Sequence, residues 1–287
     1  MPPPSIISVD VEDYFHVEAF SGVVSRDSWG SYSSRVEAST KRLLDLFDEC
    51  NVKSTCFILG WVAERYPGLV REIVARGHEP ASHSYWHRLI YNLTPEEFRA
   101  DTVRARDCIE QAAGEPVYGY RAPSFSIVAR SAWALDILAE TGIRYDSSIF
   151  PVKHDTYGVP DAPRLPFQVM TPSGPIVEFP MTTFRMGNLP NFPVGGGGYL
   201  RILPEWYTRY GLKQVAREGV PAICYIHPWE VDPEQPRIVA GFKSRLRHYT
   251  NLAKTSARLK NLIESGNFTN FRASGLVDVH QLQTVKL

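Results

Sequence analysis

The feature that most constrains this chain is a repeated order of short apolar run, polar residue and amphipathic stretch. Apolar runs at residues 6–10, 54–60, 79–82, 117–120, 143–145 and 221–226 read as strands. Residues 34–50, with Leu43, Leu44, Leu46 and Phe47 on one stripe, 61–76, 131–141, 204–218 and about 255–264 have a helical period. Thr94-Pro95-Glu96-Glu97 predicts a capping box that opens a helix running to about Ala113. Strands that alternate with helices pair in parallel through crossover connections. Asp10, His83, Arg121, Asp146 and His227 each end or follow a strand-like run. In a parallel barrel that position is the rim where loops assemble active sites.

After residue 160 the rhythm changes. Residues 165–169 and 175–179 flank Thr171-Pro172-Ser173-Gly174 and read as a hairpin. Residues 188–198 are rich in Pro, Asn and Gly. The run Gly195–Gly198 has no strand before it and no Lys-Ser/Thr after it, so it reads as a flexible lid and not as a phosphate loop. A basic, aromatic stretch covers 242–249.

The chain has 31 Lys plus Arg against 31 Asp plus Glu. A net charge of zero gives no electrostatic case for nucleic acid or anionic lipid as the main partner. Its length allows one large domain or two small ones. Cys50, Cys56, Cys108 and Cys224 form no C-x-x-C pair. They read as free thiols, which fits a reducing compartment, and a cytoplasmic location is expected. Met1-Pro2-Pro3-Pro4 leads directly into a strand with no basic or apolar leader pattern, and no apolar run is long enough to cross a bilayer.

His83 and His87 are four apart, a spacing that on one helical turn puts both rings on one face. Imidazole with carboxylate oxygen suits zinc or a similar divalent ion. Strand alternation puts Asp10 and Glu12 on one side, with Asp13 turned away or already in the loop. Arg121 can orient one of these acids, and His227 can act as a general acid.

These segments, in this order, resemble the polysaccharide deacetylases, carbohydrate esterase family four, also called the NodB homology domain. The family's T-F-D-D-G motif corresponds to Ser8-Val9-Asp10-Val11-Glu12-Asp13, closer to a branch with D-x-D or D-x-E that includes peptidoglycan-deacetylase-like and exopolysaccharide-locus members. H-[ST]-x-x-H matches His83-Ser84-Tyr85-Trp86-His87, and R-x-P-x-F/Y matches Arg121-Ala122-Pro123-Ser124-Phe125. Tyr145-Asp146-Ser147-Ser148 and Tyr225-Ile226-His227 stand for the remaining two motifs. Residues 242–263 resemble the C-terminal extension of deacetylases encoded with exopolysaccharide loci.

The resemblance implies an α/β fold, a distorted (β/α) barrel of about seven repeats, with a catalytic domain at 1–235 and a C-terminal extension at 236–287 packed on it. It implies hydrolysis of an N-acetyl group on an amino sugar, so the expected partner is an N-acetylated saccharide. One divalent metal is expected, zinc first, with cobalt, nickel or manganese as alternatives. Asp10 would be the general base, His227 the general acid, Arg121 the residue holding Asp10, and Asp146 a supporting partner. His83 and His87 would bind the metal. Glu12 is favoured as third ligand by register and Asp13 by ligand type, and both stay open. A backbone N–H near Ser124 and Phe125 would face the oxyanion. Trp86, Tyr120, Phe125, Tyr199 and Trp229 are placed to pack on sugar faces, or are ordinary core aromatics. Two other readings are a metal-independent cyclic amide or ureide hydrolase of the same fold and a catalytically silent carbohydrate-binding protein.

Overall fold

The computed structural model describes residues 4–187, 189–277 and 282–285. Met1–Pro3 of the leading Met-Pro-Pro-Pro, and Asn188 at the head of the Gly-rich stretch, lie outside the described residues. The strands are β1 (Ser5–Val11), β2 (Thr55–Ile58), β3 (Glu79–Ser82), β4 (Gly119–Tyr120), β5 (Tyr145–Asp146), β6 (Phe167–Thr171), β7 (Gly174–Glu178), β8 (Thr183–Phe184), β9 (Phe192–Pro193), β10 (Ile223–Ile226), β11 (Phe268–Thr269) and β12 (Thr284–Val285). The helices are α1 (Val36–Glu49), α2 (Gly60–Arg65), α3 (Pro67–Ala75), α4 (Pro95–Ala113), α5 (Ala134–Glu140), α6 (Gly198–Ile202), α7 (Glu205–Arg217), α8 (Phe242–Tyr249) and α9 (Leu252–Glu264).

The main sheet runs β10-β1-β2-β3-β4-β5-β7-β6-β12, with β11 also on β1. From β10 to β7 every pairing is parallel, which bears out the expected α/β class. The central strands are buried on both faces, as parallel strands covered by helices must be. Among the described residues the ladder does not close into a barrel. Beyond β7 the chain crosses toward β10 through bonds from Met181 N–H to the Ile149 carbonyl and from Val194 N–H to the Thr182 carbonyl.

That crossing corrects the lid expected at Gly195–Gly198. Tyr225 N–H donates to the Gly195 carbonyl at 2.8 Å and Gly197 N–H to the Tyr225 carbonyl at 2.9 Å. The glycines are therefore fastened along β10. A Cβ on Gly196, at φ +118°, would stand 2.1 Å from the Tyr225 carbonyl oxygen, so only glycine fits.

Other elements differ at their ends. The helix expected over 61–76 is broken at Tyr66-Pro67, because proline cannot continue a helix from within. The capping box at Thr94 forms as expected: Glu97 N–H donates to Thr94 Oγ1, and Thr94 N–H to Glu97 Oε2. The hairpin of β6 and β7 turns on Pro172-Ser173. The basic stretch expected at 242–249 forms α8. The four cysteines are free, with Cys56 and Cys224 buried in β2 and β10.

Candidate active site

β1 brings Asp10 to the C-terminal edge of the sheet, and Glu12 follows just past it. Both are buried, and both line one cavity of about 600 Å³. Asp13 points the other way, as pleat alternation requires. Its Oδ2 accepts from Ser34 Oγ (2.7 Å), Arg35 N–H (2.8 Å) and Val36 N–H (3.1 Å), and its Oδ1 from Tyr14 N–H. Asp13 thus caps α1, whose own N-cap, Arg35, supplies no side-chain cap. This overturns Asp13 as a candidate metal ligand: its carboxylate is committed to the helix end. Replacing Asp13 with Ala is expected to destabilise the fold by about 1–3 kcal/mol, since several buried donors lose their acceptor. Urea unfolding checks this, and an unchanged midpoint would refute the capping role.

His83 follows β3, but the His-x3-His segment is not a helical turn. Ser84 and His87 have φ of 63° and 50°, so the chain loops sharply, and the two ring centroids come within 5.2 Å. The loop is held from outside. Asp101 of α4 accepts from Tyr85 N–H (2.7 Å) and Trp86 N–H (3.1 Å), while Arg26 donates to the Trp86 and His87 carbonyls. Neither Asp101 nor Arg26 carries a sequence signal for this role.

Glu12, His83 and His87 offer ligand atoms that all lie within 4.8 Å of one another. His83 Nδ1 lies 2.8 Å from the Arg121 carbonyl, so its N–H sits there and Nε2 is left with its lone pair. Burial, the largest influence, lowers the His83 pKa to about 4, which keeps the ring neutral. Glu12 Oε2 is 2.9 Å from His87 Nε2, yet it is a buried oxygen without a properly aligned hydrogen bond. Burial raises the Glu12 pKa, but attraction to His87 and His227 more than offsets this, so Glu12 sits below the usual carboxylate range. A neutral His83 imidazole, the His87 ring beside it and an ionised, under-satisfied carboxylate fit a divalent cation.

Arg121, after β4, is fully buried. Nη1 donates to Asp10 Oδ1 (2.7 Å) and Ser8 Oγ (2.8 Å), and Nε and Nη2 donate to the Ser147 carbonyl and Oγ. Its guanidinium lies 4.1 Å from the Phe57 ring centroid. The partner beyond Asp10 is therefore Ser147. Asp146, expected as a supporting partner, does not contact Arg121 or Asp10 through a hydrogen bond. It accepts from Ser148 Oγ, which in turn takes the Ala122 N–H, so it supports the Arg121 loop from beneath. Glu178, which the sequence did not single out, faces Asp146. Burial pushes both carboxyls up, and the charge of Asp146 pushes Glu178 further.

His227 follows β10. Its Nδ1 lies 2.7 Å from Glu230 Oε1, and its Nε2 stands 3.8 Å from Asp10 Oδ2 and 3.7 Å from Glu12 Oε1. Burial opposes the charge on His227, but the Glu230 hydrogen bond and the nearby carboxylates outweigh it, and its pKa rises to about 9. Glu230 is paired with buried Arg201, which donates to the carbonyls of Arg247, His248 and Thr250. Glu230, three residues after His227, was findable as a local pair. Arg201 was not, because nothing near it in sequence marks the contact.

Ser124, Phe125, Tyr199 and Trp229 line the cavity as expected. Ser124 and Phe125 hold φ of 51° and 54°. With Ser84 and His87, that puts four of the six positive-φ non-glycine residues of the described chain in the two loops beside the cluster, a concentration of backbone strain typical of functional sites. Trp229 stacks on His227 and on His248. Trp86 is a correction: it packs against Trp29 and Tyr85, away from the cavity wall. Tyr120 is fully buried beside Phe98.

The fold and site thus define an α/β protein with a parallel sheet that carries a His-His-carboxylate cluster and an Asp-Arg pair at its strand ends. Residues 27–145 match the polysaccharide deacetylase family model, and 147–274 match a domain of unknown function, DUF3473. The first of these matches spans the segment that carries His83, His87 and Arg121, and covers less than half of the chain. The two matched segments share one sheet, and the site takes His227, Glu230 and Arg201 from the second.

The chain is 31 % identical over 86 residues to a peptidoglycan-N-acetylglucosamine deacetylase of Bacillus cereus, 28 % of this chain and 31 % of that protein. It is 28 % identical over 100 residues to a chitooligosaccharide deacetylase of Bradyrhizobium, 35 % of this chain and 43 % of that protein. The chain thus spans less than half the length of these curated relatives. A provisionally named polysaccharide deacetylase from Mycobacterium smegmatis has the same fold, with a TM-score of 0.63 at 18 % identity over 100 % of this chain and 97 % of that one. A mutant of a carbohydrate esterase family four pseudoenzyme with restored activity matches at a TM-score of 0.51 and 15 % identity, covering 96 % of this chain and 68 % of that chain.

Proposed function

We propose that this protein is a metal-dependent hydrolase that removes N-acetyl groups from amino sugars of a polysaccharide or its saccharide precursor. The observation that carries this reading is the convergence of Glu12, His83 and His87 within 4.8 Å, beside Asp10 and His227, in one cavity. Glu12, His83 and His87 would hold the ion. A divalent ion there, zinc or a similar one, would supply Lewis acidity toward the acetyl carbonyl.

The protein's own residues account for the proton movements. Arg121 occupies Asp10 Oδ1 at 2.7 Å, which leaves Oδ2 to take the proton of the attacking water. The Phe125 N–H is spent on the Ala122 carbonyl at 3.1 Å, so the Ser124 N–H is the donor for the developing oxyanion. His227 is held at Nδ1 by Glu230 and presents Nε2 across the cavity from Asp10. Its raised pKa keeps it protonated at neutral pH, ready to give the Nε2 proton to the departing amine. The products are a free sugar amine and acetate. The intact His pair favours this reading over a metal-independent hydrolase of the same fold. The resemblance of residues 242–263 supports a place in exopolysaccharide biosynthesis.

Acetate release from N-acetylated oligosaccharides is the direct test. Chelation is expected to abolish release, and zinc or cobalt to restore it. Metal-loaded protein that releases acetate from no N-acetylated saccharide would overturn the reading. Metal analysis also separates the two acids: Glu12→Gln is expected to lower metal content well below about one ion per chain, while Asp13→Asn leaves it unchanged. The reverse result would reassign the ligand.

A further inference from the structure

The balanced charge of the whole chain hides a one-sided segment. From Gln235 to Ile263 there are Arg237, Lys243, Arg245, Arg247, Lys254, Arg258 and Lys260, and no Asp or Glu. Arg258 and Lys260 are paired with Glu205 and Glu49. Among the described residues Lys243, Arg245 and Arg247 take part in no ion pair. All three lie on α8, which packs His248 inward and leaves its other side free. At about 3.6 residues per turn, Phe242 and Leu246 stand next to Lys243 and Arg247 on the side opposite His248. Phe242 is 78 % exposed, Leu246 57 %, and Val239 just before the helix 90 %.

We propose that this face of α8, with Val239, is a docking surface for an anionic lipid bilayer. Single exposed apolar residues are ordinary, but here three lie together beside three unpaired cations, the pattern of a peripheral interfacial helix. The cations reach headgroup phosphates while Val239, Phe242 and Leu246 enter the acyl boundary. A nucleic acid would engage the cations and leave the two aliphatic chains in water. Ser244, Arg247 and His248 of the same helix line the catalytic cavity, and exposed Ile202 joins them there. Glu18, held by Ser21, is the acid at that lip. If the deacetylase reading holds, the substrate class that fits is a saccharide carried on a lipid, presented at the membrane to the adjoining cavity.

Flotation of the full chain with phosphatidylcholine vesicles, alone and with about one third phosphatidylglycerol, tests the surface. Binding is expected only to the anionic vesicles and should weaken with salt. The pairs Phe242→Ser with Leu246→Ser, and Lys243→Ser with Arg245→Ser, are each expected to lower binding at least about tenfold. Circular dichroism and acetate release from a short soluble oligosaccharide should stay unchanged in both. No binding by the native chain, or binding indifferent to the apolar pair, would overturn the proposal. So would self-association that the apolar pair abolishes without vesicle binding, which would make a second copy the occupant. Vesicle binding needs no turnover, so it stands or falls separately from the deacetylase reading.

Discussion

Asp10→Asn is expected to lower deacetylation by about 10²–10⁴-fold, because the water loses its general base. The same change should leave metal content intact if Glu12, His83 and His87 hold the ion, as proposed. It should also destabilise the protein. Arg121 is fully buried, and Asp10 is the carboxylate paired with it, so a buried cation is left without its counter-charge. Breaking such a pair from one side costs about 3–5 kcal/mol. A double variant, Asp10→Asn with Arg121→Met, separates the two effects. Removing both charges is expected to recover much of the stability and none of the activity. Acetate release and urea unfolding, measured on the single and double variants, decide it. Activity within tenfold of native in Asp10→Asn would remove Asp10 from the role of base.

His227→Gln should cost a similar factor on amides and much less on an activated aryl ester, whose leaving group departs without a proton. Equal losses on both substrates would refute the general-acid role. The pH dependence follows from Glu230. The folded pKa of His227, about 9, lies above its ordinary value of 6.5. The stabilisation from its pairing is therefore fully present below about pH 6.5 and is lost as pH rises through about 9. The alkaline limb of activity should fall over the same range. Glu230→Gln removes the hydrogen-bonded carboxylate, so that limb should move to lower pH with little change in KM. A limb that stays in place would mean that Glu230 serves only to hold Arg201.

Much of this site could be read from local pattern. Pleat alternation put Asp10 and Glu12 on one side of β1 and turned Asp13 away, and the structure keeps that arrangement. Ligand type pulled the other way, toward Asp13, and was misleading. The residues that claim Asp13 are Ser34, Arg35 and Val36, more than twenty positions later, where no local pattern reaches. The His-x3-His spacing pointed to a pair of facing rings, but through a helical turn. The actual loop depends on positive φ at Ser84 and His87 and on Asp101 holding it from another helix.

The sequence by itself determined the parallel α/β class, the strand ends that carry the polar residues, and the identity of the pair His83 and His87. These follow from periods of two and about 3.6 residues, which the backbone imposes within a few positions. Only the tertiary structure decided which carboxylate lies with the histidines, that Ser147 braces Arg121 while Asp146 acts on its loop through Ser148, and that Arg201 ties Glu230 to the start of the C-terminal helices. Those choices rest on buried hydrogen bonds between residues far apart in the chain. A buried polar group must find a partner, and packing alone determines which one lies within reach.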